Sequence, residues 1–165
     1  MKVFNKEELA RLTKLAKYVD EEVKDEQFDM GVYRNKDFRS INDCGTTGCL
    51  LGWAPFVEPP LESEFSEFDE YTGLLFGEYC YRVFGAYRHN PGILLQRTSN
   101  YQEALTKFKS QSYSISKGLL LGYIFNVDWK DIPTTATRKA GIERINKVVK
   151  HNTFTEEMYL SLIHI

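Results

Sequence analysis

The residues best suited to chemistry fall in one window, Cys44-Gly45-Thr46-Thr47-Gly48-Cys49, followed by Gly52-Trp53-Ala54-Pro55. Thr46 or Thr47 suits an N-cap and Pro55 stops the run, so the pattern predicts a short helix over 47–54. A glycine-rich turn entering a helix N-terminus points backbone N–H groups at one spot, where they can hold phosphate or carboxylate. The threonine hydroxyls add donors, and Trp53 adds an aromatic face nearby. Cys44, Gly45, Thr46, Thr47, Gly48 and Trp53 are therefore the candidate ligand-binding residues. The window is not a P-loop, because the Gly-Lys-Ser/Thr ending is missing. A plain loop-to-helix turn with a capping threonine fits the same residues, and both readings stand at this level.

The cysteines carry four further readings. Cys44 and Cys49 have Cys-x4-Cys spacing, not the Cys-x2-Cys of most zinc sites. Cys80 and His89 would complete a Cys3His set, but no second close pair supports it, so no metal site is expected. A disulfide is disfavoured in a reducing cytoplasm. Cys49 lies one helical turn from Trp53 and suits packing. Cys44 precedes the helix, where the dipole would stabilise a thiolate. A nucleophilic Cys44 with His89 as base is the catalytic alternative. No catalytic residue is assigned and no cofactor is expected.

The charges are unevenly placed. Residues 40–81 carry no Lys or Arg and eight Asp or Glu, whereas residues 82–165 carry 12 basic and six acidic side chains. Such asymmetry either steers partners or is neutralised inside the fold, with the basic third packed on the acidic middle. Glu58, Glu62, Glu64, Glu67, Asp69 and Glu70 interleave with Phe65, Phe68 and Tyr71. This is a solvated helix face over core aromatics, or else a mimic of nucleic acid. Arg138, Lys139, Arg144, Lys147 and Lys150 make a late helix basic. It lacks the interleaved aromatics on which single strands stack, so a solvated face is favoured and nucleic acid is not expected as a partner.

The elements that must position these residues read as helices. Asn5 with Glu8 forms a capping-box pattern. Leu9, Leu12, Ala16, Val19 and Val23 then give one apolar face over residues 6–23. Phe28, Met30, Val32 and Tyr33 suggest a short extended or turn segment against that helix. A further helix is expected over 66–84, with Gly85 as its stop. His89-Asn90-Pro91-Gly92 reads as a turn. Short helices follow over 101–109 and 114–127, with a β-strand over 119–127 as the weaker alternative. Pro133-Thr134-Thr135 opens another helix signal that runs through Lys150, and Thr155 with Glu156-Glu157 opens the last. The expected fold is mainly α, one domain over 1–165 of about six helices, with a minor β element left open.

Length and composition agree. At 165 residues, 42% hydrophobic and 14% aromatic, the chain has enough apolar surface to close a core without disulfide or metal. No apolar run reaches a membrane span. The N-terminus has no signal-peptide core, so a cytoplasmic location is expected.

Phe28-Asp29-Met30, the Cys44–Cys49 turn and Gly52-Trp53-Ala54-Pro55 together resemble a family of small proteins encoded by tailed bacteriophages. Trp129, Pro133-Thr134 and Arg144-Ile145 are similar to that family's closing segment, although Pro precedes Thr in this chain. The likeness covers roughly the first third and the residues after 128; the acidic middle lies outside it. The family brings no activity to transfer. It implies a phage accessory role in the host cytoplasm. The expected function is binding without catalysis, to a host protein or a small phosphorylated, anionic ligand, in host takeover or counter-defence. The alternatives are a small enzyme using Cys44 and a virion assembly component. Homo-oligomerisation stays open.

Overall fold

Asn5 begins the first helix as its sequence demands. Its side chain accepts from the Glu8 N–H at 2.9 Å, and the Glu8 carboxylate accepts from the Asn5 N–H at 2.9 Å. This reciprocal pairing satisfies two donors that a helix start otherwise leaves open. Helix α1 spans Lys6–Glu22. Leu12, Leu15, Ala16 and Val19 on its inner face are buried. A 3-10 turn at Asp25–Gln27 follows and delivers Phe28 into the core.

The computed structural model describes residues 2–28, 80–87, 95, 97–125 and 137–163. Among them the regular structure is helical, and no strand occurs. Residues 80–84 are helical. Gly85 ends that stretch at φ +65°, with its N–H on the Tyr81 carbonyl at 2.8 Å. This is the left-handed stop expected of a glycine there, a conformation that costs other residues a clash at Cβ.

Helix α2, Tyr101–Ser110, is capped by Asn100. Gln111 and Ser112 connect it to α3, Tyr113–Phe125. Leu119, Leu120, Leu121, Tyr123, Ile124 and Phe125 are all buried, so the second half of α3 is covered on nearly every side. That explains why its sequence shows an apolar run and no clean stripe. Over 119–125 the helical reading holds and the strand alternative does not.

Helix α4 spans Arg138–His151. Its N-cap is Thr137, whose hydroxyl accepts from the Ala140 N–H at 3.2 Å. The helix thus starts after the Pro133-Thr134-Thr135 signal, because a later threonine supplies the cap. Asn152 closes α4 in the left-handed conformation. Helix α5, Glu156–Ile163, follows after three further residues.

Helix α4 packs mainly along α1 and also against α3, while α5 touches α2 and α3. One hydrophobic cluster draws on every one of these helices. Rings weld the α2–α5 side of it. Phe108 stacks on Phe154 at 5.1 Å between centroids, and Tyr101 and Tyr159 lie 6.1 Å apart beside them. Each such ring pair adds about 1 kcal/mol to the burial of its apolar area.

Candidate functional site

Cys44, Gly45, Thr46, Thr47, Gly48 and Trp53 lie outside the described residues. So do the acidic stretch over 58–70, His89 and the expected helix over 47–54. The nearest described residues on either side of the motif in sequence are Phe28 and Cys80. Both are buried members of the one cluster.

Charge gathers around residues 80–87. Lys117 of α3 donates to Glu8 of α1 at 2.7 Å, with side chains only 15% and 10% exposed. The Lys117 ammonium also lies near Gly85, within 3.8 Å of where a Cβ would stand. Arg11 donates to the Val83 carbonyl. The Tyr87 N–H donates to the Ser114 carbonyl at 2.9 Å. Residues 83–87 are thus held between the starts of α1 and α3. Glu8 read from sequence only as a capping residue. The signal for its second role was Lys117, the lone charge in an otherwise uncharged run over 113–125.

Cys80 is a packed thiol. It is fully buried among apolar neighbours, and burial pushes its pKa well up. It stays protonated and out of reach, which is the reverse of what a nucleophile or metal ligand needs. Among the described residues no group of His, Cys, Asp and Glu is placed to hold a metal ion.

Two cations of the basic helix, Arg138 and Arg144, are drawn against other helices, which corrects the solvated face expected of it at those positions. Arg138 donates to the Val19 and Asp20 carbonyls at 3.2 and 3.0 Å, and to the Asp25 carboxylate at 2.8 Å. It caps the C-terminal end of α1, where carbonyls lack helical partners. The hydrogen bond to Asp25 raises its pKa further. Arg144 lies 4.6 Å over the Tyr123 ring, and donates to the Tyr123 carbonyl at 2.8 Å and to Ser161 Oγ at 3.0 Å. Burial lowers its pKa and raises that of Tyr123. Lys147 pairs with Glu157 of α5. Only Lys139 and Lys150 of the five are exposed in the manner expected. These contacts position helices; their donors point at carbonyls, carboxylates and a hydroxyl of the chain itself.

No protein-family model matches the chain, and neither the curated proteins nor the solved structures yield a match.

Proposed function

We propose that the chain is a non-catalytic phage accessory protein of the host cytoplasm that binds a small phosphorylated ligand or a host factor. The Cys44–Gly48 turn, with Trp53, forms its binding site. The observation that carries this reading is the Gly45-Thr46-Thr47-Gly48 sequence before an expected helix. Converging N–H groups and two hydroxyls suit a phosphate, whose charge the helix N-terminus favours. No helix among the described residues is long and apolar enough to cross a membrane.

Native mass spectrometry of the protein purified from cells tests the proposal. A ligand-sized excess mass, lost on denaturation, is expected. The Thr46→Glu/Thr47→Glu variant should lose that mass with its far-ultraviolet circular dichroism unchanged. An excess of protein size points to the host factor. A bare mass in the parent protein, or an excess that the double variant retains, overturns the assignment of this turn. If Cys44→Ser abolishes turnover of a ligand so identified, the site is catalytic instead.

A further inference from the structure

We draw no further inference here: the strongest candidate, the exposed aromatic patch of Tyr81 and Tyr87 beside the start of α3 at Tyr113, carries nothing because nothing in the structure shows what covers it.

Discussion

Asn152 has φ 48° and ψ 35°, and its amide group clamps the chain's beginning. Its Oδ1 accepts from the Val3 and Phe4 N–H groups at 3.2 and 2.7 Å, and its Nδ2 donates to the Phe4 carbonyl at 2.8 Å. All three contacts are buried; the Val3 N–H also reaches the Asn152 carbonyl at 3.0 Å, so removing the side chain strands the N–H and carbonyl of Phe4, at a cost of about 1–3 kcal/mol. Asn152→Gly keeps the backbone conformation and isolates that loss. Asn152→Ala adds left-handed strain of about 1 kcal/mol. Urea unfolding should rank the proteins parent, Gly, Ala in falling stability; a Gly variant as stable as the parent would remove the clamp from this account. Cys80 and Tyr123 set an alkaline limit. Burial raises both pKa values above their ordinary 9.0 and 10.0. The folded state therefore keeps protons that the unfolded chain gives up. The stability these groups contribute is intact below pH 9 and falls as pH rises beyond it. Tyr123→Phe should flatten the upper part of that decline in unfolding curves taken from pH 8 to 11. An unchanged slope would mean that the phenol does not differ between the two states.

Helix α1 was legible because every local signal agreed: cap, capping box and a 3-4 repeat of apolar residues. Helix α3 was legible as a run but ambiguous in type, since burial on nearly every side of its second half erases periodicity. The start of α4 was misplaced because several threonines could cap it, and only tertiary contact selects among them. Arg138 must reach the last carbonyls of α1, and a cap at Thr137 puts it at the first helical position. The inward turn of Arg144 was illegible for the same reason, because its partners lie on other helices. The Glu8–Lys117 pair allows a test between elements. Glu8→Gln keeps a side-chain acceptor for the Asn5 N–H and removes only the charge. Lys117→Met strands a largely buried carboxylate, which costs about 3 kcal/mol or more. The double variant should recover much of that loss, because neither charge is then left alone. A double-mutant cycle by chemical denaturation measures the coupling. Additive losses would show that the two side chains do not depend on each other.

At the scale of the molecule, the residues proposed to bind stand out in the sequence as a motif and lie outside the described residues, whereas the core was legible as a pattern. Spacing along a chain gives no distance between its segments. Charge balance shows the same divide. The expected packing of the basic third on the acidic middle lies outside the described residues. What is seen is neutralisation against the first helix and the turn after it, through Lys117 and Arg138. Those pairs join distant parts of the chain across a single hydrophobic cluster. A shared cluster predicts shared unfolding. Phe108 is fully buried at the α2–α5 side, and Phe108→Ala should cost about 3–5 kcal/mol through lost burial and a cavity. If the cluster acts as one unit, the slowest-exchanging amides of α1 and α4 lose protection by the same free energy as those of α2. Native-state hydrogen exchange resolves this helix by helix. Losses confined to α2 and α5 would instead mark the aromatic group around Phe154 as a separate folding unit, and α1 with α4 as a second one.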